Sequence, residues 1–268
     1  MSTRRHVLLT LAAATAACTH GRPAPNAEEA VPFAGCRLHF ATVAEGQRVL
    51  TADDDWLPAT GGFQRRAMMG RTQAVTLAQF RQWNADAVRA WTAPRRERWL
   101  AAARAIEARV RELRLPLPDE TLLVSSNGQE SARMPYTRAN AVVITYASEQ
   151  PGAMDAWVMA HEVWHVVSRH APALADRVYR ETGFEPMLEL LWPAVWDEIR
   201  LANPDAPANR HALRAQVDGR SVLLTPALVA PFTGGRLTSL WTMSAWPLLP
   251  VMLLSSPLVM ISRRDALG

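Results

Sequence analysis

The stretch HEVWH, at positions 161–165, contains residue types that bind and use a metal ion. His161 and His165 are four residues apart, so on an α-helix of about 3.6 residues per turn both imidazoles lie on one face and can bind one ion. Neutral imidazoles are ligands of Zn²⁺, which lowers the pKa of bound water toward neutrality. Glu162 lies about 100° round the helix, where its carboxylate can accept a proton from that water. The spacing therefore predicts Zn²⁺ at His161 and His165, with Glu162 as general base.

The residues around this stretch predict a helix with a second, apolar face. His170 falls on the apolar side, close to the helix end expected before Pro172, so we do not expect it to bind metal. A core helix with incidental polar residues is the alternative interpretation. The apolar side consists of Met159, Ala160, Val163, Val166 and Val167.

Two amphipathic helices are predicted before the HExxH helix. The first spans 76–91, begins at the N-capping residue Thr76 and repeats apolar residues along one stripe. The second spans 93–113 and has Pro94 in its first turn. We expect the two to pack as a helical hairpin, with the tryptophans of both stripes in the core.

Two strands are predicted between this hairpin and the HExxH helix. They correspond to β-rich runs at 121–126 and 141–146, and the turn-forming pair Asn127-Gly128 lies between them. The element order is therefore helix, helix, strand, strand, metal-binding helix. This order predicts an α+β fold in which a helical hairpin and a small sheet pack on the HExxH helix.

The first residues predict export. A basic stretch, STRRH, precedes an apolar run, VLLTLAAATAA, that is too short to span a bilayer. TRRHVLL also resembles the twin-arginine export motif. We interpret residues 1–18 as an export signal that is either cleaved after a small-x-small site or lipidated at Cys18, where TAAC resembles a lipobox. The expected location is the periplasm or cell envelope, either free or attached to the membrane through lipidated Cys18.

The remaining chain divides by composition. Residues 19–35, rich in Pro and Ala, are interpreted as a tether, and 36–235 as the folded domain. The apolar tail at 236–268 has three interpretations: a native ending, a membrane segment interrupted by prolines, or a truncated or frame-shifted product. Under the third, another reading frame would restore an acidic C-terminal helix.

Charge and cysteine content argue against a nucleic-acid-binding protein and against a disulfide-rich protein. The net charge is +4, and the basic residues are spread out and not clustered with aromatics, so we expect no nucleic-acid partner. Two cysteines do not form a disulfide framework. We expect Cys36 to be a buried thiol that packs like a small apolar residue.

The chain resembles the zincins, zinc metallopeptidases in which HExxH lies on an amphipathic helix that follows a strand. More narrowly, it is similar to a group of uncharacterised exported bacterial HExxH proteins. Three elements carry that similarity in order: YTRANAVVI at 136–144, HVVSRHAPALADRVYRETGF at 165–184 and NPDAPANRHAL at 203–213. The resemblance covers roughly residues 95–230.

This resemblance implies a zinc cofactor and a peptide or protein substrate. In zincins the strand beside the active helix is commonly a sheet edge that binds extended peptide by strand addition, and the stretch leading to 141–146 is the candidate for that edge. Tyr136 or Arg138 would stabilise the oxyanion or orient a substrate carboxylate. A structural turn is the alternative role for both residues.

The resemblance leaves several candidates for the third zinc ligand. Glu185 follows His165 by twenty residues, a spacing similar to that of thermolysin-type enzymes. Those enzymes place this glutamate on a second helix, whereas Glu185 here comes just after Gly183, a predicted helix stop. Glu181 and Glu189 are further candidates.

A late acidic residue is the other source of a third ligand. The exported group takes it from a glutamate near the C-terminus, but this chain has no glutamate after Glu198. Asp205, in NPDAP, is a substitute, with a turn aspartate as the alternative role.

The sequence as a whole predicts an exported, zinc-dependent metallopeptidase-like hydrolase in which activated water attacks a peptide carbonyl. A non-catalytic envelope protein that keeps the fold but has an incomplete zinc site is the alternative. A membrane-embedded protease is a third interpretation, and it depends on the apolar tail.

Overall fold

The fold is taken from a computed structural model, which describes residues 30–145, 152–189, 200–208, 210–217, 220–225 and 228–229. The predicted export signal, most of the predicted tether and the apolar tail lie outside the described residues. No described helix is long and apolar enough to cross a membrane.

The described chain is a mixture of helices and strands, as the α+β prediction requires. The helices are α1 (Val43–Thr51), α2 (Trp56–Ala59), α3 (Gly62–Met69), α4 (Leu77–Ala85), α5 (Ala93–Glu112), α6 (Asp155–His170) and α7 (Pro172–Glu181). The strands are β1 (Ala30–Phe33), β2 (Cys36–Phe40), β3 (Glu120–Ser126), β4 (Tyr136–Arg138), β5 (Ala141–Thr145), β6 (Phe184–Pro186), β7 (Arg200–Leu201), β8 (His211–Val217), β9 (Arg220–Leu224) and β10 (Leu228–Val229).

The main sheet has five strands in the order β1-β2-β3-β5-β4. β2, β3 and β5 are parallel, and β1 and β4 are antiparallel to their neighbours at the two edges. Two smaller sheets, β6-β8-β9 and β7-β10, follow α7. Because β1 pairs with β2, residues 30–33 belong to the folded domain and not to the tether predicted to end at 35.

Both predicted strands are present, but they are joined differently from a simple turn. Gly128 has a φ of +75°, and a Cβ there would come within 2.7 Å of the Arg133 backbone, so the turn requires glycine. The chain then passes through a 3₁₀ turn and β4 before it enters β5. This detour allows β3 and β5 to lie side by side in parallel.

Helices cover both faces of the main sheet. On one face, α5 and α6 enclose a core that includes Trp99, Leu123 and Ile144. On the other face, α1 packs on Leu122 and Val124. Adjacent residues of β3 therefore point to opposite layers, as strand geometry requires.

The predicted helical hairpin is wrong. α4 packs mainly against α1, and α5 packs mainly against α6. The reason is the segment between them: α4 ends at Ala85, and Val88 then bridges to Ser126 while the Arg89 N–H donates to the Ser125 carbonyl. The chain thus crosses the end of β3 and places the two helices on opposite faces of the sheet.

The HExxH helix, α6, has the apolar face that its sequence predicts. Met159, Val163, Val166 and Val167 are buried against the sheet and α5. Ala160 is exposed and does not contribute to that face. Burying side chains of this size contributes roughly 1.5–3 kcal/mol each, which fixes the helix on the sheet and leaves the histidine face free of the core.

An ion pair fixes the start of α6. Arg98 of α5 donates two hydrogen bonds to Asp155, at 2.6 Å and 2.5 Å, and the Asp155 carboxylate also accepts from the Gly152 N–H. The Arg98 guanidinium lowers the pKa of Asp155, so the carboxylate is charged at the helix N-terminus, where negative charge is favoured.

Cys36 is buried in the main core, as predicted. Burial is the largest effect on its thiol and raises the pKa to about 11. The thiol is therefore protonated at neutral pH and packs as an apolar group.

Candidate metal centre

His161 and His165 face each other on α6, as their spacing predicts. Their Nε2 atoms are 3.0 Å apart, and the two rings meet edge to face with centroids 4.6 Å apart. Two nitrogens bound at about 2.0–2.1 Å to one tetrahedral Zn²⁺ would be about 3.3 Å apart. The observed separation therefore fits two ligands of one ion.

Both imidazoles are held in the neutral form that metal ligation needs. Burial lowers the pKa of His161 and lowers that of His165 to about 4, while the charge of Asp205 opposes both shifts. At neutral pH both rings are therefore neutral, and neither has to lose a proton from an imidazolium form before it can bind a metal ion.

The structure adds Asp205, from the loop after β7, to this pair. Glu162, His165 and Asp205 each offer one ligand atom, and these atoms all lie within 4.8 Å of one another. This group could hold a metal ion. His161, a predicted ligand, is not a member of this group, but its Nε2 lies 3.0 Å from the Nε2 of His165.

Asp205 is fixed in place by its hydrogen bonds. Its Oδ1 accepts from both the backbone N–H and the hydroxyl of Thr137, each at 2.7 Å. Its own N–H donates to Asn203 Oδ1 at 3.0 Å, in an Asx-type turn. Asp205 is therefore a turn aspartate, one of the roles expected for it, and it also lies beside the HExxH helix, α6.

Glu162 is the most unusual polar group of the site. Its side chain is buried, and Oε2 has no hydrogen-bond partner among the described residues. Burial raises the pKa of Glu162 well above its usual range, Asp205 raises it further, and the Arg169 guanidinium opposes the rise. A cation beside this carboxyl would supply the missing electrostatic partner, so the residues present fit a divalent metal ion.

A tryptophan lies on the solvent side of the pair. Trp157 stacks on the His161 ring with centroids 5.3 Å apart and an interplanar angle of 20°. The indole is 40% exposed. It restricts the orientation of the imidazole, and its position one turn before His161 is the sequence signal for this role.

Glu185 lies elsewhere. It is in β6, exposed, and its carboxylate accepts two hydrogen bonds from Arg214, at 3.2 Å and 2.7 Å. These bonds lower the pKa of Glu185. The other two glutamates proposed for this role are also exposed: Glu189 pairs with Arg210, and Glu181 ends α7. The structure therefore brings Asp205, and not Glu185, to the histidine helix.

Tyr136 and Arg138 have structural partners. The Tyr136 hydroxyl donates to Glu130 at 3.2 Å, and Arg138 forms an ion pair with Asp54 and lies over the Trp56 ring. Both side chains are buried. Burial raises the pKa of Tyr136 well above its usual range. Because side chains alternate along a strand, only the residue between them in β4 faces the candidate metal centre.

That middle residue, Thr137, belongs to the sheet edge proposed for peptide binding, and its outward backbone groups already have hydrogen-bond partners. It lies opposite Val142 in a hairpin with a two-residue turn, so its N–H and C=O point away from β5. The N–H donates to Asp205 at 2.7 Å, and the C=O accepts from Arg169 at 3.4 Å. The expected addition of a substrate strand therefore does not hold at Thr137, since its backbone groups are already bonded.

His170, the last residue of α6, is exposed, as expected for a residue outside the site.

In comparisons with known proteins, no family model, curated protein or solved structure matches the chain. The functional argument therefore depends on the residues and geometry of the site itself.

Proposed function

We propose that the protein is a zinc-dependent hydrolase of peptide bonds, with His161, His165 and Asp205 as metal ligands and Glu162 as general base. The observation that carries this proposal is the group of Glu162, His165 and Asp205, whose ligand atoms all lie within 4.8 Å of one another. The Nε2 atom of His161 lies 3.0 Å from that of His165, and Glu162 Oε2 has no hydrogen-bond partner among the described residues. Three protein ligands of this kind, with a further position for water, are typical of catalytic zinc sites.

The two carboxyl groups have different tasks in this mechanism. Bound zinc would lower the pKa of water and polarise a substrate carbonyl. Glu162 would receive the proton of that water, and the buried Oε2 atom, which has no other partner among the described residues, supports this role. Having taken the proton, Glu162 can return it to the leaving amine. Asp205 stays fixed by Thr137 and does not take part in proton transfer.

The proposal is tested by metal content and peptide hydrolysis. We expect about one zinc per purified chain, lost in His161→Ala. Glu162→Gln should keep the metal but reduce hydrolysis of a peptide pool by about 10²–10⁴-fold. Retained activity in Glu162→Gln would eliminate this mechanism.

The alternative, a non-catalytic envelope protein, makes a different prediction in the same assays. A wild-type chain that contains no zinc and hydrolyses no peptide of the pool would support it. The position of Glu162 favours the hydrolase, because a purely structural zinc site needs no unpartnered carboxyl group beside the ion.

We also propose that the protein works outside the cytoplasm. The support is the basic stretch and apolar run within residues 1–18. Cell fractionation should place it in the periplasm or envelope, and Cys18→Ser should release it from membranes if Cys18 is lipidated. Recovery of the full-length chain in the cytoplasm would contradict export.

A further inference from the structure

We infer that Arg169 is the positioning residue that holds Asp205 against the metal-binding histidines. This inference rests on the proposed zinc site. Arg169 Nη1 donates to the Thr137 hydroxyl at 2.5 Å, and Nη2 donates to the Pro204 carbonyl at 2.7 Å. Nη2 also lies 3.8 Å from Asp205 Oδ1. One guanidinium thus contacts both the loop that carries Asp205 and the strand that anchors it.

The place of Arg169 on α6 explains how it reaches this loop. It follows His165 by four residues and His161 by eight, so all three side chains lie on one face of the helix. The last turn of a helix also favours a cation, because the carbonyl ends of the peptide dipoles meet there. A single helix therefore supplies two metal ligands and the group that positions the third.

Thr137 connects Arg169 to the ligand. Its hydroxyl has one proton, which it donates to Asp205 Oδ1 at 2.7 Å, and its oxygen accepts from Arg169 at 2.5 Å. The donor direction is therefore fixed from Arg169 through Thr137 to Asp205. The guanidinium cannot act as an acceptor, so the chain of hydrogen bonds has one arrangement.

Asp205 needs such support because it lies on a loop. A metal site requires its ligands within about 0.5 Å of the productive position, which loops achieve only when neighbouring groups hold them. Residues that orient metal ligands from behind typically change metal affinity by about 10–100-fold when they are removed. The planar fork of Arg169 binds Pro204 and Thr137 at once, which a lysine cannot reproduce.

Zinc affinity, measured by competition with a chromophoric chelator, tests the inference without an activity assay. We expect Arg169→Gln to weaken binding by about 10–100-fold, and Arg169→Lys to fall between it and wild type. Arg177→Gln is the matched control, because Arg177 is an exposed arginine on α7. We expect this control to bind zinc as wild type does.

Two further measurements separate positioning from a general effect on folding. The visible spectrum of the Co²⁺-substituted protein reports ligand geometry, and Arg169→Gln should change its d–d bands. In a double-mutant cycle, Arg169→Gln should weaken zinc binding little further once Asp205→Asn is present. If Arg169→Gln does not fold, Thr137→Val takes its place, because it removes the hydroxyl that joins Arg169 to Asp205.

The outcomes distinguish this inference from the proposed function. If the wild type binds no zinc, both are overturned. If the wild type binds zinc but folded Arg169→Gln, or its substitute Thr137→Val, has the same affinity and the same Co²⁺ spectrum, only the positioning role is overturned. Full additivity with Asp205→Asn would likewise show that Arg169 does not act through Asp205.

Discussion

Two carboxyl groups near the histidines differ in what surrounds them. Asp205 Oδ1 accepts two hydrogen bonds from Thr137, whereas Glu162 Oε2 accepts none from the described residues. A carboxylate that is held by two donors suits a fixed ligand. A buried and unpartnered oxygen suits a group that takes up and releases a proton. Two carboxyl groups thus suit different roles, metal ligand for Asp205 and general base for Glu162, because their hydrogen-bond partners differ.

Asp205→Asn should weaken zinc binding by at least about 100-fold, because it removes the anionic ligand itself and not only its support. Glu185→Gln is the matched control, since Glu185 is exposed and paired with Arg214. Equilibrium competition with a chelator measures both. Wild-type zinc affinity in Asp205→Asn, or weaker zinc binding in Glu185→Gln, would show that Asp205 is not the third ligand.

At the scale of elements, capping residues, prolines and β-rich runs predicted where helices begin and where strands lie, because these features depend on local interactions. α4 begins at the capping residue predicted for it, Thr76, whose hydroxyl accepts from the Gln79 N–H. α5 has Pro94 in its first turn, and both core strands lie where their β-rich runs are. The packing of the helices was not predictable in this way, because the crossing of Val88 over β3 is a tertiary contact.

A capping box starts α1, a helix that the sequence did not predict. Glu45 accepts hydrogen bonds from the backbone N–H and the hydroxyl of Thr42, each at 2.9 Å, and from His39 at 3.0 Å. Burial alone would raise the pKa of Glu45, but the bonds from His39 and Thr42 outweigh it and lower the pKa to about 2.

This lowered pKa predicts how the stability of α1 depends on pH. Since the folded pKa lies below the unfolded value of about 4.3, the stabilisation is complete above that value and is lost as pH falls toward 2. Glu45→Gln should therefore lower the free energy of unfolding by roughly 1 kcal/mol at pH 7 and by less at pH 3. Urea unfolding at both pH values measures the difference. If the difference in unfolding free energy between wild type and Glu45→Gln is the same at both pH values, the charge of Glu45 does not stabilise α1.

At the scale of the whole molecule, distant residues place the loop of Asp205. The Ala202 carbonyl accepts from Trp56 Nε1 at 2.8 Å and from Gln64 Nε2 at 3.0 Å. The Ala202 N–H donates to Gln64 Oε1 at 2.8 Å. These partners are 146 and 138 residues away along the chain. No local pattern around NPDAP indicates them, so the sequence left Asp205 as one of several candidates beside Glu185, which the resemblance to thermolysin-type enzymes suggested.

Gln64→Leu tests this anchor. The change leaves the buried Ala202 N–H without its partner, and an unsatisfied buried group costs about 1–3 kcal/mol. For a chain of this size we expect a fall in Tm of roughly 2–4 °C for each kcal/mol, measured by calorimetry, together with weaker zinc binding. Exposed Gln73→Leu, near the same helix, is the control. Unchanged stability and zinc affinity in Gln64→Leu would separate this anchor from the site.

The central claim is that His161, His165 and Asp205 bind one zinc ion beside Glu162. Crystals grown with Zn²⁺ test it most directly, through anomalous scattering measured on both sides of the zinc absorption edge. We predict one strong peak within about 2.0–2.2 Å of both Nε2 atoms and of an Asp205 carboxylate oxygen. A peak at Glu185, or a zinc ion bound by the histidines with Asp205 out of contact, would contradict the account.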